Sequence, residues 1–170
     1  DNPTSYTSEN SKISILNPCK AGDGFGGWTQ SYEDFTWSNG FINASTGAVE
    51  SSSTYPNSKY AAPIVLRKGV TYTVSGVSAD LLRWRLFSLD GTYLNSQTAS
   101  SYTPTSDCIV YILAYSGLTE AQLGAIKLTV NGKLTNASIP TGSMGNVTFT
   151  ANWTSQTYTI SYNGLDGATV

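Results

Sequence analysis

The sequence predicts an all-β-dominated protein. Three observations carry the all-β expectation. Charged residues are only 12 % of the 170, against a usual ~25 %, and 23 Ser, 22 Thr and 12 Asn stand in their place. Such a surface hydrogen-bonds water without charge, and β-branched Thr favours extended backbone. Apolar residues recur at every second position in short runs bounded by Gly and Asn, the strand period. The segment with most helical character, GLTEAQLGAI (117–126), is long enough for one or two turns.

Taken in order, SKISIL (11–16) alternates Ile13 and Ile15 with polar residues. APIVLRKGVTYTVSGV (62–77) reads as a strand, a Lys-Gly turn and a second strand with Val70, Tyr72 and Val74 on one face. LLRWRLFSLDGTYLNS (81–96) is a hairpin closed at Asp90-Gly91, a strong local turn signal. CIVYILAY (108–115) is almost continuously apolar, which predicts a central strand covered on both faces. AIKLTV (125–130) alternates and stops at Asn131-Gly132. GNVTFTANW (145–153) and TYTISYN (157–163) are period-two strands flanked by Gly and Asn.

The ends and the middle of the chain differ in character. NPTSYT, ILNPCKAGDGFGGWT, IPTGSMGNVTFTANWT and YTISYNGLDGATV resemble the Listeria–Bacteroides repeat, akin to the internalin B repeat. Asn17, Pro18, Gly22, Phe25, Gly27, Trp28 and Thr29 match its first block. Ile139, Pro140, Gly142, Ser143, Gly145, Ala151, Asn152 and Trp153 match the second, and Tyr158, Thr159, Ile160 and Tyr162 the third. Cys19 stands where that pattern has Thr, and Asp23 and Phe149 where it has Tyr. In that family a short loop separates the first two blocks; here residues 31–133 lie between them. The resemblance therefore implies a discontinuous, small β-grasp-like repeat, 1–30 plus 134–170, interrupted at 31–133 by an inserted β-sandwich of jelly-roll type, an arrangement that exposed loop tips permit. Without 31–133, 67 residues remain, near the lower size for independent folding. The Tyr-Thr-Ile-x-Tyr strand opens the family's repeat but is C-terminal here. Residues 157–170 then either begin a next repeat or complete this one, and 157–163 could add to an open sheet edge in the same chain or a neighbouring copy.

The inventory for chemistry is poor. There is no His, which removes Ser-His-Asp and Cys-His arrangements, and Asp90, Asp107 and Glu120 read as turn or helix-entry residues. The chain is read as non-enzymatic and without a cofactor. The weak candidates for a structural calcium are Glu33, Asp34 and Glu50, whose bland reading is solvated loop carboxylates. Cys19 and Cys108 are either a disulfide joining the two units or two free thiols. A net charge of −2 without a basic cluster excludes a nucleic-acid surface, and no apolar run reaches the ~20 residues of a membrane span.

Aromatics are the informative set: 11 Tyr, 5 Phe and 4 Trp. Flat rings against sugar C–H faces, with Arg and amide groups on hydroxyls, are one way to build a saccharide cleft. Trp28, Trp153, Trp37 and Trp84 read as core. Arg83 and Arg85 then share the opposite strand face with Phe87, placed either to grip a ligand or to cover apolar surface. Tyr55 and Tyr60 fall in a polar stretch, as ligand anchors or as a lid. The skeleton Trp37, Gly40, Gly47, Gly69, Tyr72, Asp90, Gly91 and Tyr93 resembles the carbohydrate-binding-like jelly rolls in surface and phage-tail proteins of Gram-positive bacteria. Together the resemblances imply an extracellular, wall-attached, adhesin-like protein in which a stalk repeat displays a binding module. Its ligand would be a glycan or a host-surface protein, met through Tyr55, Tyr60, Arg83 and Arg85. The alternative is a structural spacer with no ligand of its own.

Overall fold

The computed structural model describes residues 1–157 except Ser8, Ser116 and Met144. The strand expected at 157–163 therefore lies outside the described residues, Thr157 apart. Over the described residues the protein is all-β, 45 % strand and 6 % helix. In chain order the elements are β1 (Ile13–Ser14), β2 (Asp23–Glu33), β3 (Trp37–Asn39), β4 (Phe41–Ile42), β5 (Val49–Glu50), β6 (Lys59–Ala61), β7 (Ile64–Leu66) and β8 (Tyr72–Ser75). They continue with β9 (Leu82–Ser88), β10 (Tyr93–Gln97), β11 (Ser101–Tyr102), β12 (Cys108–Ala114), α1 (Glu120–Ala125), β13 (Lys127–Val130), β14 (Ser138–Ile139) and β15 (Asn146–Ser155).

Two antiparallel sheets face each other. The first has strand order β11-β8-β13-β2-β15, and the second β10-β9-β12-β6-β3, with β7 also paired to β12. Ribbons β1-β14 and β4-β5 are separate. The core between the sheets takes Tyr32, Tyr72, Val74, Leu128 and Val130 from the first sheet, and Leu82, Trp84, Leu86, Val110 and Ile112 from the second. As the alternation predicts, Trp84 is fully buried with Leu82 and Leu86. β12 is central, paired with β9 on one side and with β6 and β7 on the other. The Lys68-Gly69 turn does not close a hairpin. It carries the chain from β7 in the second sheet to β8 in the first.

The largest departure from the sequence reading is β2. Eleven residues run as one strand across the expected boundary after Gln30, pairing with β15 along their length and with β13 at Ser31 and Tyr32. The first sheet thus draws strands from both the repeat-like ends and the middle of the chain. The alternation that holds β2 together is Trp28, Gln30, Tyr32, all buried. A polar Gln in the middle position hid it. Gln30 can be buried because its amide is satisfied: Nε2 donates to the Tyr32 hydroxyl at 3.0 Å, and Arg67, which also donates to the Ser138 carbonyl, reaches its Oε1 at 3.4 Å. A buried amide without such partners would cost several kcal/mol, roughly 1–3.

Gly26 and Gly27 face the single residue Asn152 in a β-bulge between the pairs Trp28↔Ala151 and Phe25↔Trp153. Gly27 has φ +97, and a Cβ there would stand 3.0 Å from Lys133 Cβ, so glycine is required. Asn152 Nδ2 closes the bulge on the Gly27 carbonyl at 3.0 Å. Beside it Phe25 meets Trp28 edge-on at 5.4 Å and Trp153 at 6.1 Å, so both ends of the chain share one aromatic cluster. Trp28 also exchanges two backbone hydrogen bonds of 2.8 Å with Leu134.

The expected helix forms as α1. Thr119 and Gln122 make a capping box, each satisfying a backbone N–H left open at a helix start, while Leu123 and Ile126 anchor it in the core. The 81–96 hairpin forms as β9-β10. At its turn the Asp90 carboxyl accepts from Ser88 Oγ and from the Thr92 N–H at 3.1 Å, which holds it below the usual carboxylate range.

Candidate functional site

The outer face of the second sheet gathers all four residues singled out for ligand contact. Strand side chains alternate, so with Leu82, Trp84 and Leu86 turned into the core, Arg83, Arg85 and Phe87 turn away from it. Register then fixes their neighbours. Leu113 stands opposite both Arg83 on β9 and Tyr60 on β6, while Arg85 lies between Tyr111 on β12 and Ser96 on β10. Tyr60 is thus a strand residue, not a loop residue as its polar surroundings suggested.

The segment from β4 to β6 folds over this face. Ile42, Phe87 and Leu113 form a second small core with Phe41, Tyr60 and Tyr111 against it. Tyr55 stacks on Tyr115 at 4.4 Å and on Phe41 at 5.8 Å, each 14° from parallel. The Arg83 guanidinium sits over the Tyr115 ring at 5.6 Å and that of Arg85 over Phe41 at 5.0 Å. Tyr111 meets Tyr60 and Phe87 edge-on at 6.4 and 5.9 Å. The result is a layer of rings interleaved with two cations. Burial pushes the Tyr111 and Tyr115 hydroxyls above their ordinary range, so they stay protonated donors.

Electrostatically the layer is uncompensated. Among the described residues the ion pairs are Lys20–Asp23, Lys59–Glu120 and Lys127–Glu33; neither arginine has one. Arg85 is only 9 % exposed, and the effective penalty for desolvating an ion is several kcal/mol, of which a cation–π contact returns about 0.5–2. Next to the layer, Tyr55 forms one wall of a 780 Å³ cleft with Asn39, Glu50, Asn57 and Lys59. A second groove of 580 Å³, lined by Tyr6, Ile139, Ser143 and Phe149 among others, lies along the N-terminal segment.

Two of the weaker alternatives that the sequence left open find no support in the structure. Cys19 and Cys108 are both free: Cys19 is exposed outside any strand, while Cys108 is 1 % exposed on β12 inside the core, so no cross-link joins them. Burial pushes the Cys108 thiol up to about 11, with Asp107 adding to it. Glu33, Asp34 and Glu50 do not assemble, and among the described residues no three His, Cys, Asp or Glu side chains come together as a metal would need. Glu33 is held by Lys127 at 2.5 Å and Thr148 at 3.0 Å, whose hydrogen bonds keep its carboxyl below the usual range. Glu50 accepts instead from Asn43, and Asp34 sits in a turn with φ +51.

Phe41, Ser96, Tyr111 and Tyr115 were missed. Tyr111 and Tyr115 carried a signal: in Ile109, Tyr111, Leu113, Tyr115 the second face of β12 can be counted off by twos. Phe41 and Ser96 carried none, since only pairing brings them here. Among the described residues no helix is long and apolar enough to cross a membrane. No family model, curated protein or solved structure matches the chain.

Proposed function

We propose that this chain is a non-catalytic, extracellular binding module of a bacterial surface protein: a jelly-roll-like sandwich carried by a β-grasp-like, Listeria–Bacteroides-type stalk repeat, with glycan as ligand. The observation that carries this reading is the convergence of Tyr55, Tyr60, Arg83 and Arg85 on one sheet face, with Tyr55 forming the wall of an adjacent cleft lined by amide, carboxylate and ammonium groups. Flat rings beside hydrogen-bonding side chains suit the alternating apolar and hydroxyl faces of a sugar. The shared Phe25, Trp28 and Trp153 cluster supports the interrupted repeat, since it joins the two sequence blocks that would build it. β15 has β2 as its ladder partner on one side and, among the described residues, none on the other. That edge is where residues 157–163, of this copy or a neighbour, would add if the sequence reading of them as a strand holds.

One observation favours the spacer reading. The rings and guanidiniums lie on one another and not into open cleft space, as they would if they only cover the sheet. A glycan array probed with the intact chain separates the two. Binding that is lost in Tyr55→Ala supports the module; silence across neutral, amino and acidic glycans leaves the spacer.

A further inference from the structure

We propose that the Arg83–Arg85 pair is an anion site that takes the carboxylate of an acidic saccharide; this rests on the glycan-binding reading above. The guanidinium is the one cationic side chain that cannot relieve burial by giving up its proton. Arg85 is nine-tenths buried, and its single hydrogen bond among the described residues goes from Nη1 to Ser96 Oγ. Its Nε–H is buried with no acceptor among the described residues. The Nε of Arg85, the Nε of Arg83 and the hydroxyl of Tyr115 are all buried without a hydrogen-bond partner among the described residues. The Tyr115 hydroxyl lies close enough to Arg83 for a hydrogen bond to lower its pKa, so the Nε–H of Arg85 is the donor that most wants an acceptor.

Among the described residues no carboxylate supplies the acceptor: neither arginine is in an ion pair, and Glu50, on β5 opposite Phe41, is engaged by Asn43. Arg83 and Arg85 are alternate residues of β9, so their side chains leave the same face about 7 Å apart, a spacing at which two planar forks can converge on one carboxylate. The saccharide, not a peptide, is favoured by what adjoins them. Tyr55, stacked on the Tyr115 ring that carries Arg83, is also the wall of the 780 Å³ cleft, whose other sides include Asn39, Asn57 and Lys59. A sugar ring in that cleft would place its hydroxyls on those groups and turn its carboxylate toward the ring layer, with Tyr55 and Tyr115 between it and Arg83.

The test is titration calorimetry on the intact chain with oligogalacturonate, its methyl ester, sialyllactose, lactose and an oligoglutamate peptide. The expected result is binding of at least one acidic saccharide, weakened about tenfold or more by esterification or loss of the acid, and weakened by added salt. Arg85→Gln and, separately, Arg83→Gln, at the less buried of the two arginines, should each lose about tenfold, while Arg85→Lys, which keeps charge but not the fork, should recover only part. Melting curves identify any variant that fails to fold, and the other then decides. Equal binding of acidic and neutral sugars would overturn the anion site while leaving the glycan reading in place. Binding of oligoglutamate alone would overturn the saccharide assignment, and binding of none of the probes would overturn both.

Discussion

Replacing Gly76 by Ala should be far more damaging than the same change at Gly91, although both glycines have left-handed backbone. Their φ values are +98 and +90, so each substitution incurs the steric cost of an L-residue at positive φ, about 1–2 kcal/mol. The surroundings differ. A Cβ at Gly91 meets nothing within 4 Å, whereas at Gly76 it would stand 1.9 Å from the Ala125 carbonyl oxygen, 2.5 Å from its carbon and 2.9 Å from Ile126 N. Those are backbone atoms at the end of α1 and cannot rotate aside. Relief requires α1 to move by more than an ångström, displacing Leu123 and Ile126, which are 1 % and 0 % exposed. Overpacking of this kind costs a further ~1–3 kcal/mol. At this chain length 1 kcal/mol lowers Tm by about 2–4 °C, so Gly76→Ala should melt roughly 5 °C below Gly91→Ala. Thermal unfolding followed by Trp fluorescence measures both. Equal shifts would mean that α1 does not rest on the end of β8, and the packing argument would fail.

Two further outcomes follow from the cysteines and the open edge. Ellman's reagent should titrate one thiol, Cys19, in the native protein and two in denaturant, because Cys108 is buried and its thiol is pushed up to about 11, leaving almost no thiolate at the assay pH; a count of zero before reduction would restore the disulfide. Truncation before Thr157 should lower Tm measurably if the following strand adds to β15 in the same chain, and should abolish any self-association if the strand is donated to a neighbour. An unchanged melt together with unchanged sedimentation would rule out strand addition at this edge.

The sequence by itself determined whatever depends on local periodicity and turn chemistry. The β9-β10 hairpin was legible because Leu82, Trp84 and Leu86 alternate and Asp90-Gly91 closes them. α1 was legible as the helix-prone stretch 117–126 with Glu120 at its entry, and the side of β9 to which Arg83 and Arg85 point followed from counting by twos. Only the tertiary structure decided what depends on partners distant in the chain. β2 was not legible as one strand, because burial of Gln30 is tolerable only with Arg67 and Tyr32 beside it. Cys108 was equally open, since its isolation follows from which strand occupies the centre of the sheet. The candidate site divides in the same way: Tyr55, Tyr60, Arg83 and Arg85 were named from the sequence, but the fold supplied Phe41, Tyr111 and Tyr115 around them and left both arginine Nε–H groups without an acceptor among the described residues. Short strands specify which side a residue faces; only their pairing specifies what it meets there.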